Sequence, residues 1–270
     1  MITPLRTPKD TYEEYRGAMA YIEVVDRAGN HSIGSAFHIG EGVFVTARHV
    51  VEGLTIKSMA TTEEFLVPDK QGNVHINGQE GRFKSILPKK LKIKDGPLYH
   101  PEKQIDVALV ITEETDLKLI PPSPYHDDWV SDQGFILAPT VVMGYPPIPF
   151  SKEPKLFVAS GEINAIVDKY TGGHVHFVIS TMPRGGFSGG VCIAGNMALW
   201  VIVESLVNDN KDTELGYMSV LSMEPILTCL KEHKTIPNYE KLFEVDKELL
   251  KPKRNLFPIS LWKTSSNKPK

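Results

Sequence analysis

Ser188 sits in RGGFSGG, residues 184–190, framed by Gly185, Gly186, Gly189 and Gly190. Glycine weakens regular elements and loses the most conformational freedom on folding, so four of them around one hydroxyl specify a backbone shape. A flexible linker is also glycine-rich, but linkers lie in polar, low-complexity surroundings. Here the apolar stretches HVHFVIST and VCIAGNMALWVIV close in on both sides. Two other stretches carry groups that work with a hydroxyl. In VFVTARHVVEG (43–53) an apolar strand ends in Thr-Ala and delivers His49 at the start of a short helical turn. An imidazole titrates in the range needed to take a proton from an attacking serine. In QIDVALVI (104–111) Asp106 precedes an apolar strand, where a carboxylate is partly buried and needs a partner.

The elements that must position these groups read as strands. AYIEVVD (20–26), SIGSAFHI (32–39), GVFVTA (42–47), IDVALVI (105–111), APTVVMG (138–144), KLFVASGEINAIV (155–167), HVHFVIST (174–181), ALWVIVES (198–205) and GYMSVLS (216–222) are β-branched, often alternating, and bounded by Gly, Pro, Asn or Asp. The pattern predicts an all-β protein, a sandwich or barrels, of which the closed forms hide their strand edges. IPPSPYHDDWVSD (120–132) has no strand pattern and many turn formers, which predicts a connection between two halves with a boundary near residue 125. In MEPILTCLKEH (223–233), Met223, Ile226, Leu227 and Leu230 fall on one helical face, with Pro225 tolerated in the first turn. A C-terminal helix is expected there. Residues 251–270 carry six Lys or Arg and no acid, with LFPISLW embedded, and read as a solvated end or a docking segment.

TARHV around His49, IDVALV around Asp106 and GGFSGG around Ser188 resemble the trypsin-like, chymotrypsin-fold serine peptidases, within them the bacterial HtrA-like branch. VMGYP (142–146) and VASGEINAIV (158–167) look like second-barrel strands of that branch, and the likeness runs over about residues 18 to 235. The order His, Asp, Ser separates it from the subtilisin-like and α/β-hydrolase orders. The resemblance implies two packed Greek-key β-barrels with a C-terminal helix and tail. It divides the chain into an N-terminal extension (1–17), a first barrel (18–125) with His49 and Asp106, a second barrel (126–235) with Ser188, and a basic tail (236–270). It also implies serine endopeptidase activity through an acyl-enzyme intermediate. Asp106 would fix the tautomer of His49, and the backbone N–H groups of Gly186 and Ser188 would receive the oxyanion. Gly185 and Gly186 together make a peptide unit that could flip, so the sequence leaves open whether those donors are preformed.

The sequence departs from the family at Phe187, where secreted digestive members carry an Asp that pairs with a newly cut N-terminus and HtrA-type members often carry Asn. Activation by such cleavage is therefore not expected. Arg48, next to His49, and Val191, where Pro often follows, are milder departures. The stretch beyond residue 235 is too short for a PDZ domain. By analogy Met182 forms the base of the S1 pocket, with walls from 200–206 and 216–220, which implies a neutral P1 residue; Met182 could equally pack in the core. A catalytically silent member of the fold, acting as a protein-binding module, is the alternative to the peptidase.

Composition bounds the rest. The 270 residues are 41% hydrophobic and 23% charged with a net charge of −3, as in a soluble globular protein with no basic field for nucleic acid or an anionic membrane. No apolar run reaches the roughly 18–20 residues of a membrane span, and the first residues lack a hydrophobic signal core, so the chain reads as cytoplasmic. Cys192 and Cys229 make no disulfide framework and read as small buried hydrophobes. His174 and His176 share one strand face as metal ligands could, but lack a third partner at ligand spacing and read as structural. His126, Asp127 and Asp128 read as a solvated loop. Lys89, Lys90, Lys92 and Lys94 alternate with Leu91 and Ile93, which predicts an exposed strand whose lysines guard its edge. No P-loop, dinucleotide fingerprint or zinc motif is present, and no cofactor or metal is expected. The expected partner is a protein or peptide substrate, with the oligomeric state left open.

Overall fold

Alternating apolar residues become strands whose inward positions are dry. The computed structural model describes residues 7–62, 89–121, 133–168, 174–181, 185–194, 197–199, 203–208 and 211–238. In the first half the strands are β1 (Met19–Val25), β2 (His31–Gly40), β3 (Val43–Thr46), β4 (Thr55–Thr61), β5 (Lys89–Lys90), β6 (Ile93–Tyr99) and β7 (Ala108–Thr112). In the second they are β8 (Pro139–Gly144), β9 (Phe157–Asp168), β10 (Val175–Ile179), β11 (Val191–Ala194), β12 (Met197–Leu199), β13 (Val203–Asn208) and β14 (Lys211–Leu221). Three helices are α1 (Pro8–Tyr15), α2 (Arg48–Val51) and α3 (Glu224–Glu232). In β1, Ile22 and Val24 are buried while Tyr21, Glu23 and Val25 are partly exposed, the period of two expected of a strand with one wet face.

The strands form two antiparallel seven-stranded sheets, ordered β5-β4-β1-β2-β3-β7-β6 and β12-β11-β8-β9-β10-β14-β13. Both contain a three-strand meander whose fourth strand returns beside the first, β4 next to β1 and β11 next to β8, which is the Greek-key order. Each sheet must also curl shut. β5 and β6 lie at opposite edges of the first sheet, yet only residues 91 and 92 separate them. Three residues reach about 10 Å, whereas a flat seven-stranded sheet is about 29 Å wide. β12 and β13 stand in the same relation in the second sheet. The fold is therefore all-β, with two barrel-like sheets and a C-terminal helix.

The lysine run is divided by this closure. Lys89 and Lys90 form one edge strand, Leu91 turns inward and is buried, and Ile93 begins the opposite edge. ALWVIVES (198–205) likewise does not form one strand: 197–199 pair with β11, and 203–208 pair with β14. An unbroken apolar run gives no sign of the change of partner. β4 and β11 carry no strand expectation from the sequence, and β6 only at Ile93 and Lys94, where the lysine run ends. β6 is interrupted by Asp95-Gly96-Pro97 and bulges at two points, features tolerated at an edge.

One hydrophobic core crosses both halves. Phe37, Phe44 and Leu109 of the first barrel share a cluster with Met143, Tyr145, Val191 and Ile193 of the second, and with Ile226, Cys229 and Leu230 of α3. The expected helical face turns inward: Met223, Ile226 and Leu230 are all at most 3% exposed, and Leu227 is partly buried against the same core. His233, just beyond α3, places Nε2 2.7 Å from the carbonyl of Tyr99 and ties the helix to β6. α1 lies within the segment read as an extension. Thr7 and Asp10 form a capping box at its start, and Tyr15 at its end enters the core. No helix among the described residues is long and apolar enough to cross a membrane. The connection at 122–132 with His126, Asp127 and Asp128, and the tail beyond 238, lie outside the described residues.

Candidate active site

His49 owes its position to the end of β3. After Thr46 the chain leaves the sheet at Ala47 and turns into the four-residue α2, so His49 projects from a helical turn fixed by the buried Val50 and Val51. Its imidazole Nδ1 lies 2.7 Å from Oδ2 of Asp106, and its backbone N–H donates to Oδ1 of the same carboxylate at 2.9 Å. Asp106 thus accepts two bonds from one residue, and this fixes the ring's orientation as well as its distance. Burial pushes the Asp106 carboxyl up, but the bonds from the His49 ring and backbone and the attraction of the imidazole outweigh it and hold the group below its ordinary value. The carboxylate is charged at neutral pH. Half of the His49 side chain stays exposed, which leaves its outer face accessible.

Asp106 is held by a tight loop between β6 and β7. Ile105 N–H donates to Glu102 O, Val107 N–H to Ile105 O, and His100 N–H to Val107 O. Arg48 ties this loop to α2. Its guanidinium lies 4.9 Å from the centroid of the Tyr99 ring, donates to the carbonyl of His100 at 3.3 Å, and pairs with Glu52 at 2.9 Å. By sequence Arg48 departs from the family pattern. In the structure it braces the carboxylate that faces its neighbour in the chain. Only the i, i+4 pairing with Glu52 could have been read from spacing.

Ser188 lies on the opposite barrel, in the turn between β10 and β11, half-buried. Two glycines there do what no other residue can. Gly189 has φ +82° and packs so closely against Ser35 and Thr46 that any side chain would collide with them; a Cβ would also lie 3.0 Å from Ala47 N. Gly186 has φ +90°, and a Cβ would lie 2.6 Å from the carbonyl oxygen of Tyr145. The serine loop is therefore seated directly on the segment that leads to His49. Ser35 N–H donates to the carbonyl of Ser188 at 2.8 Å, joining the two barrels by a backbone bond. Gly190 N–H donates to Phe187 O at 2.7 Å, and because the peptide is planar and trans this fixes the direction of the Ser188 N–H.

Phe187 replaces the acidic anchor with an apolar one. Its ring is 1% exposed, stacks edge-on against Phe157 at 5.6 Å, and shares a cluster with Val142, Ile163, Phe177 and Cys192. The loop is thus held from beneath by the second barrel's own core.

The remaining candidates stay apart from this constellation. Met182 lies outside the described residues. His176 Nδ1 is 3.0 Å from Ser219 Oγ, while the ring of His174 stands edge-on to that of His100 at 6.1 Å, so the two histidines have different neighbours. Cys192 and Cys229 are buried free thiols, pushed up to about 12 by desolvation, and are inert as nucleophiles. No group of three His, Cys, Asp or Glu side chains gathers as a metal site among the described residues. Ser35 has no signal in the sequence: a lone serine in a strand gives no sign that a second barrel will meet it.

Two Greek-key barrels bearing His and Asp on one and Ser on the other define the double-barrel peptidase class. The chain belongs to the trypsin-like peptidase family, whose peptidase domain matches residues 34–199. No curated protein matches it. Among solved structures it is similar to the HtrA-type protease AlgW with a tripeptide, at 14% identity and a TM-score of 0.55, covering 85% of this chain. The match covers 64% of that structure, so this chain spans less than two thirds of its length. It is also similar to the Rv3671c protease from M. tuberculosis in its active form, at 17% identity and TM-score 0.51, covering 84% of this chain and 83% of that one. A third is the serine endoprotease from Yersinia pestis, at 13% identity and TM-score 0.52, covering 86% and 68%. At these identities the likeness is one of fold.

Proposed function

We propose that the protein is a cytoplasmic serine endopeptidase that cleaves peptide bonds through Ser188, His49 and Asp106. The observation that carries the reading is the doubly bonded His49–Asp106 pair, with the Ser188 loop seated against the same β3–α2 segment. Ser188 Oγ attacks the scissile carbonyl carbon as His49 Nε2 takes its proton, and the C=O electron pair moves to the oxygen. Asp106 stabilises the imidazolium. The oxyanion accepts from the N–H groups of Gly186 and Ser188. Collapse breaks the C–N bond as His49 returns the proton to the leaving amine, giving the acyl-enzyme, and water repeats the sequence to release the acid. One such oxyanion donor is worth roughly a hundredfold to a thousandfold in rate.

A protein or peptide is the substrate in this reading. A neutral P1 residue belongs to it as well, since by analogy with the family Met182 falls at the base of the S1 pocket, where a basic preference requires an acid. A cleavage profile on a peptide library tests both parts: the reading expects hydrolysis after neutral residues that disappears in Ser188→Ala. A library left intact by the wild type, together with retention of unmodified peptides, would assign the fold to binding instead.

A further inference from the structure

Ser35 is fully buried on β2 and lies between the barrels. Its Oγ donates to the carbonyl of Gly186 at 2.6 Å and accepts the N–H of Tyr145 at 2.8 Å. The second bond uses the oxygen as acceptor, so the single hydroxyl proton is committed to Gly186. Its backbone N–H holds Ser188 O, and its own carbonyl accepts Thr46 Oγ1 at 2.7 Å. One residue therefore fixes the carbonyls on both sides of Phe187.

We propose that Ser35 is a positioning residue that holds the Gly186 amide aimed at the oxyanion. This rests on the peptidase reading above. The Gly186–Phe187 peptide is pinned through its oxygen by the Ser35 hydroxyl, and Gly186, at φ +90°, lies so close to Tyr145, Pro146 and Pro147 that a Cβ there would come within 2.9 Å of each. The Gly186 N–H belongs to the preceding peptide and is set relative to the pinned carbonyl by the φ and ψ of Gly186, which this close packing restricts. Without the hydroxyl, a half-buried carbonyl loses this partner, and rotation at Gly185 and Gly186 offers it another at little steric cost because neither carries a Cβ. That rotation swings the Gly186 N–H away. Strand β2 does not itself need a hydroxyl here: its pairing with Tyr21 of β1 is through the backbone, and the next residue, Ala36, is apolar and fully buried.

The test compares the full-length wild type with Ser35→Ala, Ser35→Thr and Met59→Ala. Met59 is a buried residue on β4, separated from β2 by β1, and serves as a comparator for lost stability alone. The readouts are the rate of fluorophosphonate labelling at Ser188, kcat and KM on a cleaved peptide, and thermal unfolding. Ser35→Ala is expected to slow labelling and kcat about tenfold to a hundredfold, part of the loss of one donor, with KM within about twofold. Ser35→Thr, which keeps the hydroxyl, should recover most of the rate. Met59→Ala should lose stability with no change in labelling of the folded fraction. If Ser35→Ala does not accumulate folded, Ser35→Cys, with its weaker donor, carries the same comparison. Wild-type labelling rates in Ser35→Ala, or an equal slowing in Met59→Ala, would overturn the role of Ser35 alone. A wild type that is never labelled would overturn the peptidase reading and this proposal with it.

Discussion

Asp106 receives both the ring Nδ1 and the backbone N–H of His49, at 2.7 and 2.9 Å. A carboxylate gripping one residue at two points sets the imidazole's tautomer, plane and position together. It can do so because α2 begins one residue earlier, so the His49 amide lies in the first turn and donates to the carboxylate. Asp106→Asn keeps the shape but offers an amide where Nδ1–H requires an acceptor. We expect kcat to fall roughly a thousandfold to ten-thousandfold, with the melting temperature little changed. Steady-state kinetics beside a thermal melt check this, and an active Asp106→Asn would contradict it.

Arg48 reaches the same carboxylate through the loop that carries it. Its planar fork stacks on Tyr99 and spans the carbonyl of His100 and the carboxylate of Glu52, so a lysine cannot replace it. Arg48→Lys and Arg48→Ala should both lower kcat about tenfold to a hundredfold by loosening Asp106. Rescue by lysine would show that charge alone suffices.

Phe187 anchors the serine loop by burial. Phe187→Ala removes a ring that is 1% exposed and leaves a cavity under the loop, at a cost of about 3 kcal/mol or more in unfolding free energy. Urea unfolding measures the loss, and labelling of the folded fraction should slow because the loop has lost its seat. Phe187→Leu should retain most of both.

Much of this architecture is readable in the chain, and the failures have physical causes. β1 stands out because its alternation matches one wet and one dry face, β2 and β3 because they are short apolar runs bounded by turn formers and buried on both faces, and α3 because Met223, Ile226 and Leu230 share a stripe. β6 is hidden by Asp95-Gly96-Pro97, which signals a turn everywhere except at a bulged edge. In ALWVIVES hydrophobicity is continuous while pairing is not. His49, Asp106 and Ser188 are legible because each lies in a local frame of its own. Ser35 and Arg48 work through contacts made far along the chain, Ser35 to Gly186 and Arg48 to His100, and no local pattern records them.

A buried histidine outside the site gives the fold a pH dependence. His38 donates from Nδ1 to the carbonyl of Lys118 and accepts the N–H of Gly42 at Nε2, and its ring packs against that of Phe44. Both bonds require the neutral ring. Burial pushes its pKa down to about 4 from 6.5. The folded state therefore binds fewer protons than the unfolded chain between those values. The stabilisation is fully present above pH 6.5 and is lost as pH falls toward 4, by about 3 kcal/mol in all. Urea unfolding from pH 7 to 4.5 should show this decline. His38→Asn, whose amide also donates and accepts but does not titrate, should flatten it; an unchanged slope would place its source elsewhere.

The central claim is that Ser188 is a nucleophile activated by His49. Fluorophosphonate labelling of the full-length protein, followed by mass spectrometry of the modified peptide, tests it most directly. The account predicts adduct on Ser188 in the wild type, none in Ser188→Ala, and labelling slowed at least a hundredfold in His49→Ala. An unlabelled wild type, or labelling that persists in Ser188→Ala, would contradict it.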